Sequence, residues 1–219
     1  MKGSLHTDEL MSAVVASALR TDRRMSHCFI MQTPAYPRPF IITDAALNIA
    51  PTLKDKADII RNAVDLAHAF GIARPNVAIL AAVETINPSM PATLDAAALC
   101  KMADRGQIAG AVLDGPLAFD NAVSAAAART KGIASPVAGS ADILVVPDLE
   151  AGNMLAKQLE YPGGAASAGI VLGARVPIVL TSRADPREAR IASCAVALVV
   201  ARRLSRPAAV TAAPRKQAA

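Results

Sequence analysis

The stretch TSRADPRE, residues 181–188, brings a hydroxyl, a guanidinium and a carboxylate together on Ser182, Arg183 and Asp185. An apolar run ends just before these residues, and a long apolar-faced helix is predicted just after them. A guanidinium fork, a hydroxyl and the free N–H groups of a helix N-terminus together make a binding site for an anion. A neighbouring carboxylate can then take a proton from an incoming nucleophile.

Helix capping explains part of the same stretch. Asp185, Pro186 and Glu188 fit the N-cap, the first helical position and the third, which is an acidic version of the capping box. Capping leaves Ser182 and Arg183 unexplained. We therefore predict charge stabilisation by Ser182 and Arg183, with Asp185 as the group that orients the site or accepts a proton.

Three further polar residues are candidate substrate contacts. Asp114 follows a predicted strand in DGPLAFDNAVS, although an Asp-Gly-Pro turn explains it equally well. Asn153 and Lys157 lie four residues apart on one helix face, where a solvated polar pair is the commoner explanation. Gly152 in that helix costs about 1 kcal/mol relative to alanine, which predicts a close approach by another backbone or by a ligand.

Several other kinds of site are not indicated. His6, His27 and His68 show no metal-ligand spacing, so no metal is predicted. The glycine-rich residues 161–173 lack both the dinucleotide fingerprint and a P-loop. No nucleophile elbow is present, and no cysteine follows a predicted strand. We therefore expect no tightly bound cofactor.

Composition narrows the class of protein further. Hydrophobic residues make up 53% of the chain, yet no apolar run reaches the roughly 18–20 residues that span a bilayer. The net charge of +5 comes largely from the last twenty residues, so the rest is near neutral and nucleic-acid binding is not expected. Three cysteines lie far apart in apolar surroundings, which favours free thiols in a reducing cytoplasm.

Apolar periodicity predicts strands that alternate with helices, which is typical of an α/β domain with a largely parallel sheet. We expect one domain over residues 1–205, followed by a disordered basic tail over residues 206–219. Helices are predicted at 6–20, 53–71, 90–106, 118–132, 149–161 and 185–204, a strand hairpin at 27–33 and 38–47, and further strands at 76–83, 108–116, 141–148 and 169–181.

Polar residues follow several of these strands, at Glu84, Asp114, Asp148 and residues 181–183. Ligands of open α/β sheets bind beyond the carboxyl ends of the strands. These positions are therefore the ones at which the sequence predicts a binding site.

Four segments taken together resemble the phosphate acetyltransferase / phosphate butyryltransferase family. They occur in the family's order and cover nearly all of residues 1–203: MKGSLHTDELM, DGPLAFDNAVS, SPVAGSADILVVPDLEAGNMLAKQL and GIVLGARVPIVLTSRAD. The resemblance implies reversible transfer of an acetyl or butyryl group between coenzyme A and inorganic phosphate. It also implies an isocitrate/isopropylmalate dehydrogenase-like three-layer fold, with two lobes around a cleft, and a homodimer.

The resemblance assigns roles to particular residues. The family's Ser-Arg motif falls on Ser182 and Arg183, where it would stabilise negative charge. Lys2, Gly3, His6 and Thr7 match a family segment near the cleft, so they are implied to bind substrate. The family's catalytic aspartate would fall near position 189, which is alanine here. Asp185 or Glu188 would then have to replace it, unless the base comes from elsewhere.

The resemblance also implies which part of the family domain is present. The segment MKGSLHTDEL is normally internal, so the chain would correspond to the second lobe and the last helix, with the first lobe largely absent. An alternative is therefore a non-catalytic remnant, or a subunit completed by another chain, that dimerises or binds acyl-CoA. A dehydrogenase of the same fold group is less favoured, because the acidic strand ends and nucleotide loop it needs are not evident.

Overall fold

The computed structural model describes residues 1–2 and 5–205. The helices are Thr7–Val15 (α1), Leu53–Ala69 (α2), Pro91–Asp104 (α3), Phe119–Val123 (α4), Ala125–Thr130 (α5), Leu149–Glu160 (α6) and Arg187–Leu204 (α7). The strands are Ser26–Gln32 (β1), Phe40–Thr43 (β2), Asn76–Leu80 (β3), Val112–Leu117 (β4), Ile143–Val145 (β5), Ala166–Leu172 (β6) and Ile178–Val179 (β7). No helix in these residues is long and apolar enough to cross a membrane. The predicted tail, residues 206–219, lies outside the described residues.

The strands form a seven-stranded sheet in the order β4-β3-β5-β2-β1-β6-β7. Strands β2, β3, β4 and β5 are parallel to one another, while β1 is antiparallel to both β2 and β6. Strand β6 therefore runs in the same direction as β2, and only β1 and β7 run the other way. The predicted largely parallel α/β sheet and the predicted β1–β2 hairpin are both confirmed.

Helices cover both faces of this sheet, which confirms the three-layer arrangement. On one face, side chains of α2, α3 and α7 pack on residues such as Cys28, Val77 and Ile170. On the other face, α4 and α6 pack on Met31 and neighbouring residues, and α1 packs on β6 and β7. The alternation of side chains along a strand explains the division, since successive residues point to opposite faces.

Strand β7 runs antiparallel to its neighbour β6 at the edge of the sheet. Only residues 173–177 join β6 to β7, and a parallel connection needs about a dozen residues or more. Strand β7 therefore turns back antiparallel to β6, with Ile178 opposite Val171 and Val179 opposite Ile170. Residues 181–183 consequently leave the sheet at the end opposite to the carboxyl ends of β2–β6.

Two local predictions also need correction. The helix predicted over residues 118–132 is interrupted at Ser124, which is extended (φ −121°, ψ 108°) and whose side chain caps α5 by accepting from the Ala127 N–H. Asp114 was expected directly after a strand but lies inside β4, where its carboxylate accepts from the next N–H at 2.9 Å.

The close approach predicted at Gly152 is confirmed. A Cβ at this position would lie 2.6 Å from Val146 Cγ2 and 3.0 Å from the Ala45 Cβ. Helix α6 therefore rests directly on the residues that follow β2 and β5, and it is the protein's own chain, not a ligand, that occupies this contact.

Candidate functional site

The N-terminal segment runs alongside β7. The backbone N–H of Lys2 donates to the Val179 carbonyl at 3.0 Å. This bond brings the start of the chain to the end of β7. Val179, which accepts the bond, is four residues before Arg183. The structure thus joins two of the segments in which the sequence predicted functional residues, although about 180 positions separate them in the chain.

The side chain of Lys2 is buried, with only 7% of the residue exposed. Its ammonium donates to Thr7 Oγ1 at 3.3 Å. Among residues 1–2 and 5–205 it makes no ion pair with a carboxylate. A buried ammonium that meets only one neutral oxygen retains donors for an anionic ligand, because burial of an unpaired charge is costly.

A tight turn follows β7. The Asp185 carboxylate accepts from the Ser182 N–H at 2.7 Å, and the Asp185 N–H donates to the Ser182 carbonyl at 3.3 Å. The Ser182 hydroxyl accepts from the Ala184 N–H at 3.3 Å. These bonds fix the backbone of residues 182–185 and leave the Ser182 side chain exposed.

The predicted capping box at the start of α7 was wrong. Pro186 is the N-cap, and no side chain caps the helix. Asp185 lies one residue before the cap, and its carboxylate accepts from the Ser182 N–H and from no N–H of the helix. Glu188 is exposed in the first turn, two positions after the cap. The N-terminal N–H groups of this eighteen-residue helix therefore remain available to an anion.

Arg183 is exposed, and its guanidinium makes no hydrogen bond or ion pair within the described part of the chain. Its backbone carbonyl, in contrast, is held by Arg190 Nη2 at 3.1 Å. The backbone of Arg183 is therefore fixed, while its guanidinium has no partner within the described residues.

His27 is a buried neighbour of this region that was not recognised from the sequence. Its Nε2 lies 3.2 Å from the Leu180 carbonyl, and its Nδ1 has no partner within the described residues. Burial lowers the pKa of His27, and the charge of Lys2 adds to that effect, while Asp44, the Leu180 carbonyl and Asp185 oppose it. A lone histidine in an apolar strand carries no sequence signal for such a contact.

The other predicted site residues lie elsewhere. Strands β4 and β7 occupy opposite edges of the sheet, so Asp114 is six strand spacings, about 29 Å, from β7. The Asn153 amide donates to the Ala45 carbonyl at 3.2 Å, and the exposed Lys157 stacks 5.9 Å from the Tyr161 ring centre. Both sit on α6, on the face of the sheet that α1 also covers.

Of the predicted site residues near the N-terminus, His6 and Thr7 lie at the start of α1. His6 is exposed and is the N-cap of α1 without a side-chain bond, and Thr7 begins the helix. Gly3 lies outside the described residues. No group of three or more metal-ligating side chains occurs among the residues that are described.

Known proteins resemble nearly the whole chain. Residues 3–198 match the family described as Phosphate acetyl/butaryl transferase. The phosphate acetyltransferase of Rickettsia prowazekii is 66% identical over 200 residues, which cover 90% of this chain and 57% of that protein. The phosphate butyryltransferase of Clostridium acetobutylicum is 48% identical over 203 residues, covering 92% of this chain and 67% of that protein.

A solved structure agrees with these sequence matches. The branched-chain phosphotransacylase of Enterococcus faecalis superposes with a TM-score of 0.84 at 36% identity, covering 91% of this chain and 72% of that one. The chain thus spans a little over half the length of the Rickettsia relative. The predicted family is confirmed: the chain belongs to the phosphate acetyl/butyryl transferase family.

Proposed function

We propose that this chain takes part in reversible acyl transfer, in which acyl-CoA and phosphate give acyl phosphate and free coenzyme A. The acyl group is short, acetyl or butyryl, as the names of the two relatives suggest. The observation that carries the proposal is the pairing of Lys2 with Val179, which brings a buried ammonium beside the turn that bears Ser182 and Arg183.

In this proposal the phosphate group binds between Lys2 and Arg183, the two cationic residues at the end of β7. The ammonium of Lys2, the Thr7 hydroxyl and the Arg183 guanidinium supply donors of the kind that bind phosphate oxygens. The uncapped N-terminus of α7 adds N–H groups and the positive end of a helix dipole. His6 and Gly3 stay candidate contacts on the strength of the family resemblance.

The acyl transfer itself needs a thiolate and a stabilised oxyanion. The coenzyme A thiol gives its proton to a base, the sulfur bonds to the acyl carbon, and the carbon–oxygen bond to phosphate breaks. In the tetrahedral intermediate the carbonyl oxygen carries negative charge, which the Ser182 hydroxyl and Arg183 stabilise. Phosphate leaves with the electron pair of the broken bond.

Asp185 is assigned to orientation of the site. Its carboxylate is already bonded to the Ser182 N–H, so it sets the position of the Ser-Arg pair. The family position of the base falls on Ala189, which cannot accept a proton. Glu188, exposed in the first turn of α7, is then the carboxylate nearest in sequence that is free to do so.

Asn153 and Lys157 are proposed as contacts for the more distant part of coenzyme A. They share a sheet face with α1, but helix α6 lies over β2 and β5, and β2 is three strand spacings, about 14 Å, from β7. Asp114 remains a candidate from the sequence, with no support from its place on the far edge strand.

The test is release of thiol from acetyl-CoA and from butyryl-CoA with phosphate or arsenate, read with a thiol reagent. We expect release by the chain, or by the chain supplemented with the part of a relative that it does not span. No release in either case would favour the non-catalytic alternative. An Arg183→Ala variant with full activity would remove the site assignment.

Two further features belong to the same proposal. We propose a cytoplasmic protein, since Cys28, Cys100 and Cys194 are all free thiols. We also propose a homodimer, which rests on the family resemblance and is compatible with the exposed Ile191 and Leu198 of α7. Sedimentation equilibrium at several concentrations distinguishes the dimer from a monomer.

A further inference from the structure

His27 reaches across a whole strand of the sheet. It lies on β1, while β7 is separated from β1 by β6. Two strand spacings amount to about 10 Å. The imidazole nevertheless contacts the Leu180 carbonyl at 3.2 Å, just beyond the end of β7. The ring must therefore lie over β6 and not beside it.

Gly169 of β6 is what leaves room for this contact. A Cβ at position 169 would lie 2.8 Å from His27 Nε2 and 2.7 Å from the Leu180 oxygen. Both distances are shorter than any ordinary carbon contact, so a side chain here would displace the ring or the carbonyl. Phe29 packs against the imidazole edge-on, with ring centres 4.3 Å apart, and fixes its plane.

The hydrogen bond to the Leu180 carbonyl determines which nitrogen of the His27 ring carries the hydrogen. A carbonyl oxygen can only accept, so Nε2 carries the hydrogen and Nδ1 is left unprotonated. The whole residue is only 1% exposed. Protonation of Nδ1 would place a charge in this buried position. The charged groups that act on the ring come from three segments: Asp44 after β2, Asp185 before α7, and Lys2 before α1.

The hydrogen bond between His27 and Leu180 lies just beyond the last residue of β7 that pairs with β6. The pairing of β7 with β6 ends at Val179, and Leu180 is the next residue. Ser182 follows two residues later. We propose that His27, through the Leu180 carbonyl, is a positioning residue that holds the backbone from which Ser182 and Arg183 extend. This inference rests on the proposed function of that pair.

The experiment compares two variants of similar size in the full chain. His27→Gln keeps an N–H donor near the position of Nε2 but does not titrate, whereas His27→Met removes the donor. Amide hydrogen exchange of residues 181–185 is measured for both variants and for the unaltered protein. We expect exchange at least tenfold faster in His27→Met than in His27→Gln, with His27→Gln close to the unaltered protein.

Acyl transfer is measured in parallel, and it separates this inference from the proposed function. A displacement of about 1 Å at a reacting group can cost a hundredfold in rate. We therefore expect kcat to fall tenfold to a hundredfold in His27→Met, with the KM for coenzyme A changed less than threefold, and rescue in His27→Gln. If the unaltered protein transfers no acyl group even when it is supplemented with the part of a relative that it does not span, the proposed function fails and exchange alone decides the inference.

Equal exchange in the two variants would overturn the positioning role, whatever the activity. If His27→Met does not fold, Gly169→Ala replaces it, because the added methyl group displaces the same contact. Imidazole nitrogen chemical shifts of the unaltered protein give a measurement without any substitution. Protonation at Nε2 supports the inference, and protonation at Nδ1 alone contradicts it.

Discussion

Two polar regions of the molecule differ in how their charges are satisfied. In the first, which follows β3 and β4, the Lys131 ammonium lies 2.8 Å from Glu84 and 3.2 Å from Asp120. Asn121 donates to the same Glu84 carboxylate. We call these four residues the paired cluster. At the second, the end of β7, Lys2 and Arg183 meet no carboxylate within the described residues.

We propose that this difference distinguishes structural polar groups from groups that bind a ligand. The pKa of Lys131 is raised and that of Glu84 is lowered, each mainly by the hydrogen bond to the other. The charged groups of the paired cluster thus satisfy one another, although Asn121 Oδ1 has no partner within the described residues, and the cluster ties α4 and α5 to the residues after β3. Among the described residues, the buried Lys2 ammonium at the end of β7 has no carboxylate partner, and burial of a charge without one is costly.

We expect the largest loss of activity when Arg183 is replaced. Arg183→Ala should lower kcat/KM for acyl transfer about a hundredfold to a thousandfold, because loss of one oxyanion donor costs that much. Lys131→Ala, which removes the cation of the paired cluster, should change it less than threefold. Thiol release measured for both proteins makes the comparison. Similar losses in the two variants would contradict the division into a structural and a ligand-binding region.

Substitution of Lys2 should give the next largest effect, chiefly on the KM for phosphate. Lys2→Met keeps the apolar stem but removes the ammonium, so we expect the KM for phosphate to rise about tenfold to a hundredfold. Lys101→Met serves as the matched control, since Lys101 is exposed and, within the described residues, pairs with Asp104 alone at 2.9 Å. Initial rates at varied phosphate concentration give both values. An unchanged KM in Lys2→Met would mean that the buried ammonium is structural.

Much of the architecture was predictable from the sequence, because apolar periodicity reports which face of each helix or strand is buried. The β1–β2 hairpin and the strands at β3–β6 followed from that pattern. Periodicity did not report the features that short connections and turns determine. The return of β7 is imposed by the short connection at residues 173–177, and the turn toward Ser182 takes Asp185 away from the helix.

The candidate site was predictable only in part, for the same reason. The chemistry of Ser182, Arg183 and Lys2 can be recognised in their side chains and in the family motifs. His27 could not be recognised, because its role depends on the register of three strands and on the missing side chain at Gly169. The place of Asp114 in the sheet could not be predicted, because residue type and turn signal say nothing about which edge of a sheet a strand occupies.

Substitutions of Asp185 should have a smaller effect on kcat, and they distinguish a role in orientation from a role in proton transfer. Asp185→Asn keeps an oxygen that can accept from the Ser182 N–H, so we expect kcat within threefold of the unaltered protein. Asp185→Ala removes the acceptor, and kcat should fall about tenfold, since the net contribution of such a hydrogen bond is about 1.5 kcal/mol. Single-turnover rates of thiol release measure both. A loss of a hundredfold or more in Asp185→Asn would make Asp185 the base.

The smallest effects concern the pH dependence of stability, in which the two regions act in separate ranges. Burial lowers the pKa of His27 below its ordinary 6.5, so the unfolded chain binds the proton more readily than the folded one. The stability that depends on neutral His27 is therefore complete above about pH 6.5 and is lost as the pH falls below it. The pKa of Glu84 is lowered from 4.5, so its contribution is lost only in more acidic solution.

Urea unfolding between pH 7.5 and pH 3.5 can separate these two contributions. In the unaltered protein we expect the free energy of unfolding to decline already between pH 6.5 and pH 5, in the range set by His27. His27→Gln should remove that early decline and leave the acidic one, while Glu84→Gln should weaken only the acidic part. An early decline that persists in His27→Gln would show that another group than the buried imidazole controls stability near the end of β7.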